Sequence, residues 1–325
     1  MATMNNAQPN AAVASKPPAP MRAAGPDPIW QGNNPDLYAN VKKALTALPQ
    51  YFKSTTVVNG TSATDVFGFN TVLGSAIEIA VVETLNGLRS VWDPQNKYPT
   101  YSFQRFSQSF PDVRLMDSNS ASATPILMGI EVKGWFVLSK EAEPSFRYVI
   151  TPAACNLHDL ILIVPWKFDN VISGTPVLLP VFIEQARYAA EARNFYWTWD
   201  RGNAAGRPDD LVDISAHTMP YPLKTANCSD RPVKDGGGNF GRVARTKLMA
   251  DFVNQTLQAD ASGIPVKHWI SFLKVFTDGS TSEDQSIEMA KLAKKAAKSF
   301  GLTNENMQAA IPYLKALLDA ANTDT

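Results

Sequence analysis

The run Leu160-Ile-Leu-Ile-Val-Pro-Trp166 has no polar residue at either parity of a strand's alternation. Built as a strand, it must be covered on both faces, which places it at the centre of a sheet with further layers above and below. Other extended segments surround it in sequence. Ile126–Leu138 reads as a long strand and Phe146–Ile150 as a shorter one. An aromatic-rich stretch, Tyr101–Phe110, leads to a short segment at Asp112–Met116, and polar residues 117–124 form the turn or loop that follows. Helical spacing appears upstream, at Leu37, Val41, Leu45 and Leu48, and again from Thr71 to Leu88. The apolar positions of the second helix (Val72, Ala76, Ile77, Ile79, Ala80, Leu85) are dense enough to predict a well-buried element that Gly87 ends. A third helix is predicted from Pro180 to Phe195, proline suiting its first turn. The pattern is that of an α/β chain with a mixed sheet flanked by helices.

Beyond residue 199 the character changes. Residues 200–242 are rich in Gly, Pro, Asn and Asp, a length typical of functional loops. Helices follow around Leu248–Leu257 and Val266–Phe276. Another opens at a capping box formed by Ser282 and Gln285 and ends at Gly301, and Pro312 breaks or kinks the last one. Residues 1–27 are mostly Ala, Pro and Asn and are expected to be a disordered tail. The expected organisation is therefore a tail (1–27), a core with N-terminal helices (28–215), and a basic loop with a helical C-terminal region (216–325). With 45% apolar residues and 30 basic against 30 acidic side chains, the 325-residue chain has the composition of a soluble globular protein. No uninterrupted apolar run approaches membrane-spanning length, and two cysteines make no disulfide framework, so a reducing cytoplasmic setting is expected.

Pro111-Asp112 is followed, after 18 residues, by Glu131-Val132-Lys133. On a strand, Glu131 and Lys133 share one face while Ile130 and Val132 point into the core. Asp112 comes to lie beside Glu131 if the two segments pair. Two converging carboxylates repel each other, and a divalent cation with a preference for oxygen ligands relieves that repulsion. A plainer reading of the same letters remains: a turn opened by Pro111-Asp112, and a solvated Glu–Lys pair on an edge strand.

Taken together, Pro111, Asp112, Glu131 and Lys133, with an upstream helix carrying Glu78 in Gly74-Ser75-Ala76-Ile77-Glu78, resemble the PD-(D/E)xK nuclease superfamily in its type II restriction endonuclease form. The resemblance covers about residues 70–195 and implies a restriction-endonuclease-like core. It also implies Asp112, Glu131 and the Val132 carbonyl as Mg²⁺ ligands, and Asp112, Glu131, Lys133 and Glu78 as catalytic residues, with Glu83 the alternative to Glu78. Lys133 would orient or deprotonate the attacking water. The implied partner is double-stranded DNA cut to 5′-phosphate and 3′-hydroxyl ends by a homodimer. A cognate DNA methyltransferase in the same prokaryotic cytoplasm would be a functional companion. Another nuclease of the same fold, acting in repair, recombination or on RNA, and a non-catalytic interaction protein are the competing readings.

Residues 224–247 carry six basic side chains (Lys224, Arg231, Lys234, Arg242, Arg245, Lys247) against Asp230 and Asp235. Such a loop either tracks phosphates or is simply solvated. Trp197–Asp213 adds Arg201, Asn203 and Arg207, residue types suited to base edges. Candidate DNA contacts are therefore Arg201, Asn203, Arg207, Lys234, Arg242 and Arg245. Cys155 and His158 have metal-ligand spacing but no second pair. Gly236, Gly238 and Gly241 meet the G-x-G-x-x-G spacing without the preceding strand that a dinucleotide site needs.

Overall fold

The computed structural model describes residues 16–25, 36–60, 65–106, 109–119, 125–201, 211–235, 239–276 and 281–300. Its elements in chain order are α1 (Leu37–Tyr51), α2 (Phe69–Gly87), α3 (Arg89–Trp92), β1 (Tyr101–Arg105), β2 (Val113–Asp117), β3 (Ile126–Phe136), β4 (Leu160–Asn170), β5 (Ser173–Leu178), β6 (Phe182–Gln185) and α4 (Ala186–Phe195). A π-helical turn, Tyr196–Asp200, extends α4. Then come α5 (Ala250–Leu257), a two-stranded ribbon of β7 (Asp260–Ala261) and β8 (Ile264–Pro265), α6 (Val266–Leu273) and α7 (Ser282–Phe300).

The fold is mixed α/β. A curled six-stranded sheet has the order β1-β2-β3-β4-β5, with β6 also pairing β4. β1, β2 and β3 run antiparallel, and β4 lies parallel to β3 from Ile130↔Leu160 to Phe136↔Trp166. As its sequence requires, β4 is central and buried from Leu160 through Trp166. Phe69, Phe136, Trp166 and Phe168 meet edge-on or tilted beside it, an arrangement that aromatic quadrupoles favour.

The long helix α2 is pinned to the sheet at both ends by asparagine. Asn70 Oδ1 accepts the Phe136 N–H at 2.9 Å. At the other end, the Asn86 side chain accepts from the Phe103 N–H at 2.8 Å and donates to the Phe103 carbonyl at 2.9 Å, completing the edge of β1 as a neighbouring strand would. Between the pins, a Cβ on Gly134 would lie 3.7 Å from the Gly74 carbonyl, so helix and strand backbones run close there. Glu78 follows Gly74 by one turn and thus reaches the strand that carries Lys133.

Several expectations are corrected. The predicted α2 is present but only partly buried: Ile77, Val81 and Leu85 face the sheet, whereas Val72 is 72% and Ile79 44% exposed. Val66–Gly87 is, among the described residues, the one stretch long and apolar enough to cross a membrane, with mean hydropathy 1.4. Phe146–Ile150 is not a strand of the sheet. It makes isolated bridges, Arg147↔Arg242 and Ile150↔Ser229, while Tyr148 is buried and its hydroxyl donates to the Ala186 carbonyl at 3.1 Å. The helix predicted from Pro180 begins only at Ala186, because Phe182–Gln185 pairs with β4 as β6. The cap of α7 is Thr281 with Asp284 rather than Ser282 with Gln285: Thr281 Oγ1 accepts the Asp284 N–H, and Asp284 Oδ2 accepts the Thr281 N–H. Gly301 and Pro312 lie outside the described residues.

Within the expected tail, residues 16–25 have a defined course along β6 and α4. Ala23 exchanges two hydrogen bonds with the Gln185 side chain, at 3.0 and 2.9 Å. Arg22 donates to Glu184 Oε2 at 2.9 and 2.7 Å and lies over the Tyr188 ring. Residues 1–15 lie outside the described part.

Candidate active site

The antiparallel register that matches Val113 with Ile130 puts Asp112 opposite Glu131 at the point where β2 begins. The Asp112 backbone N–H donates to Glu131 Oε2 at 3.2 Å. Beyond this point β3 continues with β4 as its ladder partner, and the parting of β2 from β3 leaves room for a cleft. A pocket of about 230 Å³ holds both carboxylates, walled by Phe110, Ile150, Leu223, Lys224 and Cys228. Beside it, Lys133 Nζ lies 3.5 Å from Glu78 Oε1, and Arg105 Nη2 lies 3.3 Å from Glu78 Oε2.

The electrostatics follow from this packing. Burial raises the Asp112 carboxyl to about 6; the charge of Glu78 adds to the rise, and Arg105 and Lys133 oppose it. Glu131 is held well above the ordinary carboxylate range, first by burial and then by Asp112, while the N–H bond from Asp112 and the charge of Lys133 act the other way. Both acids therefore resist ionising, Glu131 in part because of Asp112, the condition a bound cation relieves. By donor chemistry, two carboxylates with the adjoining Val132 carbonyl suit a hard divalent ion such as Mg²⁺. Among the described residues no group of three or more His, Cys, Asp or Glu side chains gathers as a metal cluster. Glu78 is engaged by two cations, and Glu83 is exposed on the helix away from this group.

A buried support lies behind the cleft. Asp159 Oδ1 accepts the Gly129 N–H at 2.7 Å and the Tyr221 hydroxyl at 2.9 Å, and its Oδ2 accepts the Asn156 N–H at 2.8 Å. Arg114 lies over the rings of Phe106 and Tyr221 and donates to the Phe110 carbonyl at 2.9 Å. The loop that bears Lys224 is thereby latched to β2 and β3. Gly129 is obligatory in this packing, since a Cβ there would lie 2.1 Å from Pro111 Cγ.

Lys224, one of the basic residues of the 224–247 loop, lines the carboxylate cleft, while Arg105, Asp159 and Tyr221 escaped the sequence pattern. Arg105 alone left a trace: it follows Tyr101 and Phe103 on the same face of β1, a charge where the alternation calls for an apolar residue. Of the candidate DNA contacts, Arg201, Arg242 and Arg245 line one separate pocket. Lys234 is exposed and does not line it, and Asn203 and Arg207 lie outside the described residues. Both cysteines are free thiols, and Cys155 is buried against the Tyr148 hydroxyl at 3.2 Å. Comparison with known protein families, characterised proteins and solved structures finds no match to this chain.

Proposed function

We propose that this protein is a Mg²⁺-dependent endonuclease of the PD-(D/E)xK kind that hydrolyses phosphodiester bonds in double-stranded DNA, in the manner of a type II restriction enzyme. The observation that carries the reading is the meeting of Asp112 and Glu131 across β2 and β3, in a cleft, with Lys133 on the same face of the same strand. The order of helix, antiparallel strands and parallel β4 agrees with it.

Asp112, Glu131 and the Val132 carbonyl would hold the ion, which when bound supplies Lewis-acid polarisation and charge stabilisation at the phosphate. Lys133 places an ammonium beside the two acids, where it offsets phosphate charge and orients a water. Glu78, bridging Lys133 and Arg105, fixes the direction of that ammonium and so acts as a positioning residue. Lys224, on the cleft wall, supplies a further cation to the incoming backbone. A two-fold dimer would match the symmetry of a palindromic site.

The test is digestion of long duplex DNA with and without Mg²⁺, followed by sequencing of the ends. Discrete Mg²⁺-dependent fragments with 5′-phosphates are expected, and Lys133→Ala should abolish them. A Lys133→Ala protein cutting at the wild-type rate would remove the reading; smears, or cleavage of RNA alone, would move it to another nuclease of the same fold.

A further inference from the structure

The second pocket shares no lining residue with the carboxylate cleft and has its own chemistry. It encloses about 250 Å³ between the π-helical turn and the loop Asn239–Thr246. Its walls carry Arg193, Arg201, Arg242 and Arg245 and no carboxylate.

Arg193 is consumed by structure: it binds Asp230 at 2.6 Å and the carbonyls of Tyr148 and Ile150. The other three are differently placed. Arg242 and Arg245 are braced by Glu141 at 2.9 Å and Glu143 at 2.6 Å, neither of which lines the pocket, and Arg245 Nη1 also donates to Asn239 Oδ1 at 2.6 Å. These bonds fix the two guanidinium forks without using all their donors. Arg201 lies over the Trp197 ring, 3.3 Å from its centroid, and forms no ion pair with a described residue. Two further donors on the lining residues, Trp197 Nε1 and Arg242 Nε, are buried without an acceptor. The loop itself is held: the Tyr148 N–H donates to the Gly241 carbonyl at 2.8 Å, and Gly241 takes φ +85°, where a Cβ would press on the Tyr148 carbonyl. Widened π turns recur at functional sites.

We propose that this pocket binds a phosphate group, carried by a nucleic-acid strand or by a free nucleotide, through Arg201, Arg242 and Arg245. Pre-oriented guanidinium forks recognise tetrahedral and planar oxyanions through paired N–H donors. The choice of phosphate over carboxylate rests on the nuclease reading; the anion pocket itself does not. The volume takes a phosphate with part of its ester and falls below that of sites that enclose a drug-sized ligand.

The experiment uses the full chain in EDTA, so that no cleavage occurs. Calorimetric titrations with inorganic phosphate, a nucleoside 5′-monophosphate and acetate are run beside polarisation titrations with a labelled short duplex. Arg201→Gln should weaken binding of the phosphate probes or the duplex by at least about tenfold, the scale of one lost charge-assisted contact. Arg201→Lys should recover part of that loss, and Lys291→Gln, an exposed cation on α7, should change nothing. Loss on the mononucleotide alone assigns a free nucleotide, and loss on the duplex alone assigns a strand phosphate. The proposal is overturned if neither probe binds saturably, if acetate competes equally well, or if Arg201→Gln leaves every affinity unchanged. Cleavage is scored separately: Arg201-dependent phosphate binding in a chain that never cuts DNA keeps this site and removes the nuclease reading, and the reverse result does the opposite.

Discussion

Replacing Gly129 by alanine probes the packing that sets Asp112 opposite Glu131. The added methyl would lie 2.1 Å from Pro111 Cγ and 3.2 Å from Asp159 Oδ1. Carbon atoms in contact prefer about 3.5–4.0 Å, so roughly 1.5 Å must be found. The proline ring cannot swing away as a flexible side chain can, so the movement falls on the Pro111–Asp112 backbone or on β3. Overpacking of this kind costs about 1–3 kcal/mol. For a chain of this size that lowers the melting temperature by roughly 2–12 °C. Because Pro111 immediately precedes Asp112, the displacement passes to the carboxylate pair. A misplacement of about 1 Å in a reacting constellation costs on the order of a hundredfold in rate. The assay pairs thermal and urea unfolding with Mg²⁺-dependent DNA cleavage. Pro111→Ala deletes Cγ, so the double variant should be destabilised by less than the sum of the two single changes. An unchanged melting temperature in Gly129→Ala would refute the packing, and a lowered one with unaltered cleavage would refute its role in positioning Asp112.

Asp112→Asn removes one of two mutually repelling acids, so in EDTA above about pH 7 the variant should be more stable than wild type by on the order of 1 kcal/mol. Wild type alone should then gain melting temperature on adding Mg²⁺, as linkage to a bound ion requires; equal gains would count against Asp112 as a ligand. Burial lifts the Asp159 carboxyl to about 7 despite its hydrogen bonds. The folded state thus holds a proton that the unfolded chain releases near pH 4, so stability falls as pH rises between about 4 and 7, by up to about 1.4 kcal/mol per unit. Asp159→Asn should flatten that slope in urea midpoints measured across the window. Arg193→Met strands Asp230 beneath the surface and should cost about 3–5 kcal/mol in denaturant unfolding; a loss below about 1 kcal/mol would mean that solvent reaches Asp230.

Local pattern revealed what depends on local pattern. The double-faced apolar run of β4 and the alternation of Ile130, Glu131, Val132 and Lys133 gave the central strand and the face on which the acid and lysine sit. β5 was hidden because Ser173-Gly174-Thr175-Pro176 carries the residues of a turn, and Gly174 indeed has φ +98°. β6 reads as the start of a helix because its Glu184, 8% exposed, finds its charge partner in Arg22, 162 residues away. Arg105 joins the site through strand register, and Tyr221 through a bond to Asp159 across 62 residues. Neither distance is written in a window of neighbouring letters. The arginine pocket is of the same kind, uniting Arg201 with Arg242 and Arg245 from well beyond any local window.

The segment from residue 16 to residue 25 has a consequence for self-association. β6 lies on the flank of the sheet, and an uncovered strand rim offers its amides and carbonyls to any other extended chain. Ala23 and Arg22 lie against that strand, held by the Gln185 amide and the Glu184 carboxylate rather than by a further ladder. Shortening the chain past Ala23 would take the guanidinium from Glu184 and open β6 to solvent at once, turning a guarded boundary into a sticky one.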